Sequence, residues 1–130
     1  MPGTVVVGRC VSKWVKISPK KVKIVADLIK RKPVLEAMRI LKFTNKKAAR
    51  IIEKILKSAV DSFLQKVGDK SYPLDDVHIS TVKVDRAMIL KRYRPRFRGG
   101  ANMIRKRYSH ITIEVKGIKI GEEGQEKEGR

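Results

Sequence analysis

The chain has 130 residues, 32 of them lysine or arginine against 13 aspartate or glutamate, for a net charge of +19. That length holds one domain with a modest core, and that charge points to a polyanion, nucleic acid before an anionic membrane. No apolar run approaches the ~18 residues of a membrane-spanning helix, no signal-peptide pattern opens the chain, and the lone Cys10 precludes an intrachain disulfide. A cytoplasmic, non-secreted protein is expected.

In chain order, residues 4–17 (TVVVGRCVSKWVKI) are rich in β-branched side chains and read as a strand with an irregularity near Gly8. A lone cysteine without a motif is ordinarily a small hydrophobe rather than a nucleophile or ligand, and Cys10 is read so. Trp14 either stacks on a base or packs on the body. Ser18-Pro19 opens a helix, serine as N-cap and proline at the first helical position. Val22, Val25, Ala26 and Ile29 recur on one face of it, while Lys20, Lys21 and Lys23 crowd its first turns. Cations there oppose the helix macrodipole, so these lysines either answer to external phosphate or form a solvated face.

The sequence Lys30-Arg31-Lys32-Pro33 ends that helix, because a residue before proline avoids the α region. A short second helix carries Val34, Ala37, Met38 and Leu41. Thr44 or Asn45 is expected to cap a third, running to about Val67 and stopped by Gly68. Its stripe of Ile52, Ile55, Leu56, Ala59, Val60, Phe63, Leu64 and Val67 supplies most of the core. A polar loop with Asp75-Asp76 follows, read as solvated rather than as a metal site. From Val77 a strand begins, its parity changing near Ser80-Thr81 as at a bulge.

Residues 91–108, KRYRPRFRGGANMIRKRY, hold eight basic side chains (Lys91, Arg92, Arg94, Arg96, Arg98, Arg105, Lys106, Arg107) and no acidic one. Strand-like runs lie on both sides, and Gly99-Gly100 readily supplies a tight turn. The reading is a long β-hairpin over about residues 84–115, each arm from Arg86 reaching about 40 Å at about 3.3 Å per residue. A domain of this size has a radius of gyration of only about 13 Å, so the hairpin projects. A bare ribbon with like charges across its strands is marginal alone and calls for a neutralising partner. Lysine and arginine meet phosphates, and Tyr93, Phe97 and Tyr108 suit stacking on unpaired bases. The alternative is a solvated, disordered basic loop. With the turn centred between Gly99 and Gly100, Arg94 faces Arg105 and Arg92 faces Arg107. One face then carries Arg92, Arg94, Arg96, Arg98, Arg105 and Arg107, and the other carries Lys91, Tyr93, Phe97, Ile104, Lys106 and Tyr108. The return arm alternates Ile111, Ile113, Val115 with His110, Thr112, Glu114, a strand with one buried face. His78 and His110 have no nucleophile or second base placed beside them by any motif. Residues 121–130 (GEEGQEKEGR), without apolar content, form an acidic tail expected to be disordered, leaving residues 1–120 as one α+β domain.

SPKKVKIVADLI, KILKSA, LKRYRPRF with its following glycines, and SHITIEV occur in the order and spacing of the large-subunit ribosomal protein 22 family, and the chain resembles that family over roughly residues 5–116. The resemblance implies an α+β fold of three helices on a small antiparallel sheet with one long protruding hairpin. It implies a monomer within the ribosome, without enzymatic activity or cofactor. Large-subunit rRNA and neighbouring ribosomal proteins would be its partners, with the nascent peptide meeting it at the exit-tunnel wall. On that reading Lys20, Lys21, Lys23, Arg86, Lys91, Arg92, Tyr93, Arg94, Arg96, Arg98, Arg105, Lys106, Arg107 and Tyr108 contact rRNA. Phe97, Arg98, Gly99, Gly100 and Ala101 form the tunnel tip, where Phe97 and Gly100 depart from the family's usual P-R-A-x-G-R-A. Two competing classes are an architectural DNA-binding protein with a basic β-ribbon arm, and a small nuclease using His78 or His110.

Overall fold

Helix α3, Lys47–Val67, is the floor of the body in this computed structural model, which describes residues 4–68 and 72–119. Its apolar stripe is buried as its spacing predicts, with Leu64 half-buried and Ala48 and Ala49 added at its start. Helices α1, Pro19–Ile29, and α2, Val34–Phe43, pack beside it through Val22, Val25, Ala26, Ile29, Val34, Ala37 and Leu41. Three antiparallel strands close the other side: β1, Thr4–Val15; β2, His78–Pro95; and β3, Ala101–Lys119, in the order β1-β3-β2. The central strand β3 turns Ile111, Ile113 and Val115 onto the helices, all fully buried, so its expected alternation holds. The α+β class and the hairpin are both present, with pairing continuing inward to His78↔Lys116. The acidic segment 121–130 lies outside the described residues.

Two local expectations are corrected. Pairing of β1 with β3 is unbroken from Thr4 to Ser12, so Gly8 is not an irregularity. A Cβ there would lie 2.5 Å from the Ala59 carbonyl and 2.6 Å from Phe63 Cβ, so the glycine is where the sheet touches α3. The break comes later, between Ser12 and Val15, where Trp14 takes a left-handed φ of 60°. Neither Thr44 nor Asn45 caps α3, whose N-cap is Lys46. Thr44 is used to end α2 instead: its hydroxyl donates to the Ile40 carbonyl at 2.6 Å, and Arg50 reaches back to donate to the carbonyls of Leu41, Lys42 and Thr44. A guanidinium on the last carbonyls of a helix satisfies its orphan acceptors and suits its dipole. Gly68 closes α3 as expected, at φ 80° with its N–H on the Leu64 carbonyl.

The bulge near Ser80 is present, Ile79 pairing with Val115 and Thr81 with Glu114. A second shift, between Arg86 and Ile89, sets two residues of β2 against Tyr108 alone. Each extra residue bends its strand and increases twist. The second bulge falls where the hairpin leaves the body, next to the buried Ser109.

Candidate nucleic-acid interface

The foot of the hairpin is fastened to the start of α1. Ser109, fully buried, donates from its hydroxyl to the Ile17 carbonyl at 2.6 Å, and Ile17 is itself in the core. Ser18 then caps α1 by backbone conformation, with no side-chain cap bond and no acidic residue in the first turn. This short connection sets Lys20, Lys21 and Lys23 against the hairpin base. Between them runs a groove of two adjoining concavities that share Ser18, Arg107 and Tyr108, one lined by Lys20, Lys23 and Arg86 and the other by Lys21. Lys16, Lys47, Arg105 and Lys106 continue it, and among the described residues no acidic side chain lines it. Lys16 and Lys47 were not among the expected contacts. Proximity in sequence to Ser18-Pro19 was a signal for Lys16, whereas Lys47 arrives only through the packing of α3.

Beyond the groove the ribbon is bare, every residue from 91 to 103 being exposed. Pro95 pairs with Ala101, Arg94 with Asn102, Tyr93 with Met103, Arg92 with Ile104 and Lys91 with Arg105. The turn therefore centres on Arg98, and the expected register, with Arg94 facing Arg105 and Arg92 facing Arg107, is overturned. Directly opposed residues share a face, so the three-residue slip, being odd, exchanges the faces of the return arm. Lys91, Tyr93, Met103, Arg105 and Arg107 stand on the helix side, and Arg92, Arg94, Ile104 and Lys106 on the other. Cations occupy both faces, and the all-arginine face does not form.

The tip explains the slip. Arg96 donates its N–H to the Gly100 carbonyl at 2.6 Å, and Gly100 donates to the Phe97 carbonyl at 3.3 Å. The two left-handed positions inside this loop are Arg98 (φ 60°) and Gly99 (φ 76°), whereas Gly100 is extended. One glycine supplies the turn and an arginine supplies the rest, its guanidinium 5.3 Å from the centre of the Phe97 ring. Phe97 is 84% exposed. Arg98→Gly should relieve the left-handed strain of a non-glycine residue, about 1 kcal/mol locally. Amide exchange of the Arg96 and Gly100 N–H groups is then expected to slow by a factor of a few, and faster exchange would contradict the strain reading.

Among the described residues the ion pairs are Arg9–Glu114, Lys30–Asp27, Lys32–Glu36 and Arg50–Glu53, all between exposed or half-buried side chains. None engages a cation of the groove or the ribbon, so no ion pair among the described residues compensates that charge. His78 is exposed beside the Asp76 carbonyl, and His110 is engaged with Trp14. Cys10 is half-buried against the core. Among the described residues no three His, Cys, Asp or Glu side chains gather as a metal site would require.

A small α+β body that holds out a basic ribbon from a basic groove defines a binding protein directed at a polyanion. The family is specific: residues 10–116 match the model of ribosomal protein L22p/L17e, and the chain belongs to that family. It is 44% identical over 118 residues to the large ribosomal subunit protein uL22 of Rubrobacter xylanophilus, covering 87% of this chain and 89% of the relative. With that of Maridesulfovibrio salexigens it shares 48% identity over 108 residues, 83% of this chain and 96% of the relative. With that of Halothermothrix orenii it shares 45% over 113 residues, 87% and 97% respectively. The chain is thus a ribosomal protein and not an enzyme, which removes the nuclease reading and displaces that of a DNA-binding architectural protein.

Proposed function

We propose that this protein is a structural constituent of the large ribosomal subunit in the cytoplasm, binding large-subunit rRNA through the groove and both faces of the hairpin. The observation that carries the reading is the stretch from Arg86 to Ile113, free of acidic residues, bare beyond the groove, and opposed at its foot by the lysines of α1. Such a surface accumulates self-repulsion that phosphate relieves with release of counterions. The contacts run from Lys20, Lys21 and Lys23 through Arg86, Arg107 and Tyr108 to Lys91, Arg92, Tyr93, Arg94, Arg96, Arg98, Arg105 and Lys106. Neighbouring ribosomal proteins complete the surroundings, the protein acting as a single copy and supporting subunit assembly. Its tip, Phe97 to Ala101, reaches the wall of the nascent-peptide tunnel, a reading supported by the family and by the exposure of Phe97.

The rRNA reading predicts a steep salt dependence, with log affinity falling against log salt by roughly 0.7 to 0.9 per phosphate contact. Arg94→Ala and Arg96→Ala should each flatten the slope by about one contact or less. Filter binding to large-subunit rRNA across a salt series tests this, and an affinity indifferent to salt would reject it. The tunnel reading is tested by Phe97→Cys in a Cys10→Ser background: a thiol cross-linker at the tip of assembled subunits should capture stalled nascent chains. Failure to capture them, with the variant present in the subunit, would place the tip elsewhere.

A further inference from the structure

Trp14 is the only tryptophan in the chain, and it stands where β1 breaks register. Its left-handed backbone, φ 60°, is one that a bulky residue keeps only when its surroundings hold it. Here the holder is His110. The Trp14 backbone N–H donates to His110 Nδ1 at 3.2 Å, and the two rings meet edge to face with centroids 4.9 Å apart at 84°. An edge-to-face contact occupies at most one face of the indole, and Trp14 remains 54% exposed. The core is complete without it, so the strained backbone and the imidazole present a large flat ring to the outside.

Its position narrows what that ring meets. Ile111 faces the helices, so His110 lies on the opposite side of the sheet. By alternation along β3 and across to β2, Lys106, Arg92 and Arg94 lie on that same side farther out along the hairpin. Exposed Lys13 adjoins Trp14 in sequence. Asp85 is the cross-strand partner of His110, and a carboxylate there disfavours a phosphate against the rings. An uncharged planar group between phosphates suits this arrangement, and indole stacking on a base is sequence-tolerant because every base has a π-face.

We propose that Trp14, positioned by His110, is a stacking platform for one unpaired RNA base at the foot of the hairpin, with Lys13 on the adjoining phosphate. This rests on the rRNA-binding reading and adds to it a site on the outer side of the sheet, away from the α1 groove, with a requirement for single-stranded RNA. Because the tryptophan is unique, its emission reports this site alone. The full chain is titrated with a labelled single-stranded RNA oligonucleotide and, separately, with a fully paired duplex of the same length. RNA anisotropy and Trp14 emission are recorded together. The single strand is expected to quench Trp14 by more than about half, and the duplex to bind with little quenching. Trp14→Leu should weaken single-strand binding about tenfold with duplex binding unchanged, and Trp14→Phe should retain most of the affinity. His110→Ala should lower the quenching at saturation, since it frees the ring without removing it. Salt-sensitive binding of both RNAs with unchanged Trp14 emission would overturn the platform and leave the rRNA reading standing. No binding of either RNA would overturn both.

Discussion

Gly8→Ala is expected to lower the melting temperature by more than about 10 °C, and Gly8→Val to leave little folded protein at 37 °C. The added Cβ would sit 2.5 Å from the Ala59 carbonyl oxygen and 2.6 Å from both Phe63 Cβ and Phe63 N. The obstacles include α3 backbone, and Ala59 and Phe63 are fully buried. Overpacking ordinarily costs about 1–3 kcal/mol, and a clash with backbone that cannot swing away belongs at or above the top of that range. Stability of a domain this size totals about 5–15 kcal/mol, and each kilocalorie is worth several degrees of melting temperature. Gly117 separates backbone from side chain as the cause: a Cβ there meets the Phe63 ring at 2.5 Å and Val77 Cγ2 at 3.3 Å. Shortening the ring in Gly117→Ala/Phe63→Leu should recover part of the loss from Gly117→Ala, whereas Phe63→Leu should not rescue Gly8→Ala. Gly68, at φ 80° with nothing within 4 Å, is the control for left-handed strain alone, at about 1 kcal/mol. An unchanged thermal transition for Gly8→Ala would refute this account of the sheet–helix contact.

Gly8 also shows where reading the sequence stops. A glycine among valines looks like a bulge because glycine weakens strands, and nothing local says that a helix 50 residues later needs the space. What depended on one element's own period was legible: the stripes of α1 and α3, the alternation of β3, the stop at Gly68. What depended on two elements competing for one residue was not. Thr44 has the chemistry of an N-cap for α3 and is taken by the end of α2 because Arg50 closes the same corner. The turn carries two glycines, and the pairing that forms puts Arg98 rather than Gly100 into a left-handed position. At the interface, the basic ribbon and the α1 lysines were visible as composition. Their meeting in one groove was not, because it depends on Ser109 binding the Ile17 carbonyl across 92 residues of sequence.

That groove yields the largest functional effect expected. Lys21→Gln/Arg86→Gln/Arg107→Gln removes three positive charges while keeping much of the aliphatic stems that line it. If each meets a phosphate, the slope of log affinity against log salt should flatten by about 2 to 3. Affinity for large-subunit rRNA at about 0.1 M salt should fall on the order of 100-fold. The free protein should respond in the opposite sense, because three like charges have been removed from two adjoining concavities. Its melting temperature should hold or rise by a degree or two, as surface substitutions stay within about 0.5 kcal/mol. Weaker RNA binding with undiminished stability separates an interface from a folding determinant. The matched triple on the opposite face, Arg92→Gln/Arg94→Gln/Arg96→Gln, whose side chains share one parity and line no part of the groove, tests the register. With cations on both faces of the ribbon, each triple should flatten the slope by a comparable amount, and the two losses should add on the logarithmic scale, since the sites share no partner. Were the outer triple to abolish the salt dependence while the groove triple left it intact, RNA would lie on one face only, and the α1 lysines would be a solvated surface after all.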